Sequence, residues 1–150
     1  MINYDEMTRL SIELGKVLIG KKSTITTAES CTGGWIAKVI TDIAGSSEYY
    51  HRGFVTYSNE AKHEMIGVDE QTLLKYGAVS EEVVLQMAKG ALITANADFA
   101  VSVSGIAGPG GGSEEKPVGL VWFGFAMKTP TGIQITAKHC IFSGSREQVR

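Results

Sequence analysis

Met7, Leu10, Leu14 and Val17 recur at helical spacing and predict a first helix over residues 4–19, with Gly20 placed to close it in a left-handed cap. The run Ser23-Thr24-Ile25-Thr26 is β-branched or small and breaks that period, which predicts a strand. Helical spacing returns in Trp35, Ile36, Val39, Ile40 and Ile43, so a second helix is expected from about residue 32 to residue 43, stopping at Gly45. Residues 53–57 read as a second strand, after which Ser58 and Asn59 can cap a helix. Asp69 and Ser80 look like further N-caps, the second opening a helix with Val84, Met87, Ala88, Ala91 and Leu92 on one face. Residues 99–104 are nearly all apolar or small, as in a central strand covered on both faces. The glycine-rich stretch 105–112 must be a loop. Residues 118–127 and 134–142 then read as two strands joined by Lys128-Thr129-Pro130-Thr131-Gly132, an antiparallel hairpin. Ser143-Gly144-Ser145 caps a last helix that has barely begun at residue 150, which implies a domain continuing past that point.

This order of elements predicts one three-layer α/β/α domain over residues 1–150, built on a mixed, mainly parallel β-sheet. In such folds ligands gather at the carboxyl ends of strands. Three segments follow strands and would converge there if those strands are parallel: the Ser30 turn, the Tyr57-Ser58-Asn59 corner and the Gly105 loop. Ser30 stands between the first strand and a glycine-opened helix. Free amides at such a turn attract a phosphate, a carboxylate or the oxyanion of an acyl-transfer intermediate, and Gly33 and Gly34 let an anion approach the backbone.

Composition narrows the field. The chain has 150 residues, 43% of them hydrophobic and 20% charged, enough to bury a substantial core. Fourteen basic against sixteen acidic residues give a net charge of −2 with no block of like charge, which argues against a nucleic-acid surface. Cys31 and Cys140 form neither a metal-type pair nor a disulfide framework, so a reduced, cytoplasmic setting is the simpler expectation. The acidic start and the lack of a long apolar run argue against export or membrane insertion. His51, His63 and His139 show no ligand spacing, and no metal site is expected. Ser113-Glu114-Glu115-Lys116 matches the β-lactamase S-x-x-K pattern only by chance, because it lies in a loop. The Gly105 loop leads into a strand, which excludes a dinucleotide fingerprint, and the Ser30 turn lacks the glycines of a nucleophile elbow.

Three segments, Thr27-Ala28-Glu29-Ser30-Cys31-Thr32-Gly33-Gly34, Val55-Thr56-Tyr57-Ser58-Asn59-Glu60-Ala61-Lys62 and Val103-Ser104-Gly105-Ile106-Ala107-Gly108-Pro109-Gly110-Gly111, together resemble the CinA C-terminal domain family. The resemblance covers essentially the whole chain. It departs in the short last helix and in Ser145, where an aspartate is commoner. What it implies is hydrolysis of the carboxamide of nicotinamide mononucleotide to nicotinic acid mononucleotide and ammonia, with no metal or organic cofactor, and a homodimer. It further implies Ser30 as nucleophile and Lys62 as its general base, with Tyr57 assisting proton transfer. Lysine can act so only when neutral, which requires its pKa to fall from about 10.4 toward neutrality. The oxyanion hole would come from amides near Ser30 or from Ser104, Gly105 and Ile106. Thr32, Gly33 and Gly34 would receive the phosphate, or the two glycine segments would serve in the opposite sense. Arg146 would bind phosphate or ribose.

Taken singly, these residues have plainer readings. Ser30 could be an N-cap, Lys62 a solvated helix lysine, Tyr57 half-buried packing and Arg146 a surface residue, while Glu29 could serve only to satisfy helix-start amides. A non-catalytic pyridine-nucleotide-binding or regulatory domain would keep the same pocket, and an amidase of another small amide would keep the same serine. Their joint occurrence favours the enzyme.

Overall fold

In the computed structural model, which describes residues 2–150, five strands form one sheet in the order β2-β1-β3-β4-β5: β1 (Ile25–Glu29), β2 (Phe54–Val55), β3 (Phe99–Gly105), β4 (Leu120–Thr129) and β5 (Gly132–Ile141). Helices α1 (Tyr4–Lys21), α2 (Trp35–Thr41), α3 (Asn59–Ile66), α4 (Glu70–Tyr76), α5 (Glu81–Ala95) and α6 (Arg146–Val149) surround it. β2, β1 and β3 run parallel, with Glu29 opposite Val55 on one side and Val103 on the other. β4 and β5 complete a mixed sheet as an antiparallel hairpin. β3 is therefore the central strand, as its apolar run requires.

α5 covers one face of the sheet. Val83, Val84, Met87, Ala88, Ala91 and Leu92 are all fully buried there against Ala28, Ala100 and Ala126. Small residues on the strands let this helix lie close, and burying each of its larger side chains contributes roughly 1.5–3 kcal/mol. On the other face Leu18 of α1 and Ile40 of α2 meet Tyr49, Ile25 and Phe99. The three layers expected of the element order are present. Among the described residues no helix is long and apolar enough to cross a membrane.

The caps follow local chemistry. Ser58 accepts from the Ala61 amide, Asp69 from Gln71 and Ser80 from Val83, and these bonds start α3, α4 and α5 where the sequence places them. The expected left-handed cap at Gly20 is corrected: α1 runs through Gly20 to Lys21, and Lys22 takes the left-handed conformation at φ 51°. The turn is set there by bonds from Lys22 and Ser23 back to Ile19 and Leu18, which outweigh the preference for glycine. α2 is shorter than its periodicity suggests, since residues 31–34 form a turn and the helix begins only at Trp35. β2 is likewise reduced to Phe54–Val55.

Candidate functional site

Because β1, β2 and β3 are parallel, their carboxyl ends lie on one edge, and the segments following them meet. Ser30 continues β1 and is fixed by donating its amide to the Val103 carbonyl of β3 at 3.0 Å. Thr56 follows β2 and donates its amide to the Glu29 carbonyl at 2.8 Å. One turn into α3, Lys62 extends back under this corner. Its Nζ lies 2.9 Å from Ser30 Oγ and donates to the Thr56 carbonyl at 2.7 Å.

Lys62 is only 1% exposed, so it is no solvated helix lysine. Among the described residues no carboxylate lies within ion-pair distance of it. A buried ammonium without a counter-ion is costly, and desolvation accordingly pushes the Lys62 pKa down to about 8, against a small opposing pull from Cys31. The amine is thereby brought within reach of neutrality beside a serine hydroxyl. Ser30 is itself buried but not sealed, at 8% exposure. Nor is it a helix cap: the N-cap of α2 is Gly34.

Glu29 supplies the missing cap from a distance. Its carboxylate, 1% exposed, accepts from the Ile36 and Ala37 amides at 2.8 and 3.0 Å and from Thr32 Oγ1 at 2.6 Å. The start of α2 thus already holds the protein's own anion, and Glu29 does satisfy helix-start amides. Ahead of the helix, the amides of Cys31, Thr32 and Gly34 donate to no protein oxygen among the described residues. Those, rather than helix amides, are what Thr32, Gly33 and Gly34 offer to a ligand. Thr32 to Trp35 also border a cleft of about 520 Å³ together with Lys38 and Arg150, although neither Ser30 nor Lys62 lines it.

On the far side, Ser104 is buried at the end of β3, and Gly105 packs against Val121 so closely that a Cβ would clash with it and with the Leu120 carbonyl. The Ile106 amide donates to the Leu120 carbonyl at 2.9 Å and is not free for a ligand. Hydrogen-bond direction alternates along a strand, so the Gly105 amide points the other way, toward β1 and Ser30. Tyr57 is 59% exposed, and its hydroxyl accepts from Arg146 Nη2 at 2.9 Å rather than meeting Ser30 or Lys62. Arg146 also donates to the Gly108 carbonyl at 2.7 Å, tying α6 to the glycine loop. Of the residues singled out from sequence, Ser30 and Lys62 are in contact, Thr32–Gly34 and Gly105 flank them, and Tyr57 and Arg146 pair at the rim.

Two contributors had no local signal in the sequence. Thr56 acts through its carbonyl, and any residue type has one. Arg150 donates from Nε to the Cys31 carbonyl at 2.9 Å and from Nη2 to the Thr32 carbonyl at 3.2 Å, a contact across 119 positions that no short motif records. Among the described residues no cluster of His, Cys, Asp and Glu could hold a metal ion. His63 bonds the Val68 carbonyl at 2.8 Å and His139 packs against Trp122 with the rings tilted at 43°. The Ser113–Lys116 match is an exposed loop turn in which Ser113 Oγ accepts from the Lys116 amide.

The fold and this edge define an α/β protein in which a turn serine is held against a buried amine between parallel strands. The chain belongs to the family described as the CinA C-terminal domain, which matches residues 7–150. It is 65% identical over 145 residues to the nicotinamide-nucleotide amidohydrolase PncC of Escherichia coli (strain K12), covering 97% of this chain and 86% of that protein. Among solved structures it is similar to the competence/damage-inducible protein CihA from Agrobacterium tumefaciens, 46% identical with a TM-score of 0.89 over 95% of this chain and 86% of that one. It is also similar to a competence-damaged protein (CinA) superfamily protein from Escherichia coli, 36% identical with a TM-score of 0.91 over 99% of this chain and 84% of the other.

Proposed function

We propose that this chain is a nicotinamide-nucleotide amidohydrolase, converting nicotinamide mononucleotide and water into nicotinic acid mononucleotide and ammonia through a serine-bound acyl intermediate. The observation that carries this reading is the 2.9 Å contact between Ser30 Oγ and the buried Lys62 Nζ. Similarity to the amidohydrolase supports the choice of substrate.

In the neutral form Lys62 has two N–H groups and one lone pair. The Thr56 carbonyl accepts one N–H, which leaves the lone pair free to accept the Ser30 proton across the 2.9 Å contact. Ser30 Oγ attacks the carboxamide carbon as its proton passes to Lys62 Nζ, and the carbonyl oxygen becomes an oxyanion. The free amides of the Ser30 turn and the Gly105 amide are the donors at hand for that charge. Collapse breaks the C–N bond as Lys62 gives its proton to the departing amino group, which leaves as ammonia. Water then attacks the acyl ester, Lys62 takes its proton, and Ser30 leaves protonated with the nicotinate carboxylate released. Arg146 and Tyr57 at the rim are suited to the anionic and ribose parts of the nucleotide, since a guanidinium binds phosphate through paired donors.

With a lysine pKa near 8, about a tenth of the molecules carry the neutral base at pH 7, which permits turnover without a second base. The test is release of ammonia and nicotinic acid mononucleotide from nicotinamide mononucleotide by the purified chain. Stoichiometric release of both supports the reading, and folded protein that releases neither refutes it.

A further inference from the structure

The Ser30 turn is gripped from outside by Arg150. Its two bonds fall on consecutive carbonyls, those of Cys31 and Thr32. Both peptides are trans, so each amide points opposite to its carbonyl, away from the guanidinium. For the second peptide the direction is visible: with the Thr32 carbonyl on Arg150, the Gly33 amide donates to the Ser30 carbonyl at 3.0 Å. The first peptide likewise has its carbonyl on Arg150, through Nε, so its amide, that of Thr32, is turned away from the guanidinium. That amide has no protein acceptor among the described residues. The Thr32 hydroxyl cannot redirect it, because it donates to Glu29 at 2.6 Å. Gly33 leaves room for the guanidinium, since a Cβ there would lie 2.8 Å from Arg150 Nη2.

We propose that Arg150 is a positioning residue that holds the Thr32 amide toward Ser30, where it receives the oxyanion formed when Ser30 is acylated. Arg150 touches no reacting atom and acts through the peptide it orients. The forked guanidinium suits the task because it reaches two carbonyls at once, whereas a lysine ammonium would hold one. This inference rests on Ser30 being the nucleophile of the proposed amidohydrolase, but the amide geometry does not depend on which amide is the substrate.

The experiment therefore uses a substrate-independent probe beside the nucleotide. A fluorophosphonate reacts when Ser30 Oγ bonds to phosphorus, the P–F bond breaks, fluoride leaves and the hydroxyl proton passes to Lys62; the phosphoryl oxygen needs the same amide donors. Labelling of Ser30, read by mass spectrometry, is compared in the whole chain as it stands, in Arg150→Ala and in Arg150→Lys, each first shown by circular dichroism to be folded. We expect labelling to slow by about tenfold or more in Arg150→Ala, to be intermediate in Arg150→Lys, and to be restored in Arg150→Ala by millimolar guanidinium, which is too little to denature. With nicotinamide mononucleotide, kcat should fall by a similar factor while KM stays within about twofold. Labelling of Arg150→Ala at the wild-type rate would overturn the proposal. So would slow labelling that guanidinium fails to restore, since that is what loss of packing alone produces. Wild-type protein that labels at Ser30 but releases no ammonia refutes the nucleotide reading, and the labelling comparison still decides the role of Arg150.

Discussion

Lys62 sets two opposing demands on one side chain. Its burial costs stability while it is charged, and the same burial makes it a base. The sign follows from its lowered pKa, about 8 folded against an ordinary 10.5. Between those values the unfolded chain binds more protons than the folded one, so stability rises with pH across that window and the full penalty, about 3 kcal/mol, is borne below pH 8. Lys62→Met should therefore stabilise the protein near neutrality, with the advantage fading as pH rises through the window. Urea unfolding at both ends measures this, and a difference unchanged by pH would contradict it. For activity, Ser30→Ala and Lys62→Ala should each remove at least about a thousandfold of kcat with the fold retained. The wild-type rate should climb on an alkaline limb centred near pH 8, and a flat profile between pH 6 and 9 would exclude a neutral Lys62 base.

At the scale of elements, the Ser30 turn exists because α2 starts late, and α2 starts late because Glu29 reaches over the turn to cap it. Glu29→Gln keeps the length but loses the charge, and its NH2 group would face an amide already donating. We expect a loss of about 1–3 kcal/mol in urea unfolding together with faster hydrogen exchange at Ile36 and Ala37. Unchanged exchange at those two amides would mean that the carboxylate does not hold the helix. The same element shows what sequence can and cannot reveal. Periodicity in Trp35, Ile36 and Ile40 marked a helix, and residue chemistry marked the caps at Ser58, Asp69 and Ser80. The boundary at Trp35 was not readable because the residue that fixes it lies in the preceding strand. Gly20 misled for a related reason: a glycine within a helix and a lysine past its end are settled by bonds to Leu18 and Ile19, not by propensity.

Across the whole molecule, the site is an outcome of strand direction. Ser30 and Lys62 were legible as a pair only through the family pattern, since local spacing made each look like a cap or a surface residue. That they touch follows from β1 and β2 running parallel, which puts Thr56 beside Glu29 and α3 beneath the Ser30 turn. What holds α3 there is α5. Gly90 of α5 lies so close to the Ile66 carbonyl at the end of α3 that any Cβ would overlap it. Gly124 of β4 plays the matching part on the sheet side, where a Cβ would overlap the Val84 carbonyl of α5. Both Gly90→Ala and Gly124→Ala should destabilise by about 1–3 kcal/mol or more through overpacking. Only the first also pushes on the helix that carries Lys62, one turn before Ile66. Gly90→Ala should therefore lose kcat at temperatures where it is still folded, because a shift of α3 by even half an ångström lengthens the 2.9 Å contact on which proton transfer depends. Gly124→Ala should keep wild-type kcat until it melts. Melting curves and initial rates taken well below each melting temperature separate the two, and equal kcat in both variants would show that α5 does not set the distance between Lys62 and Ser30.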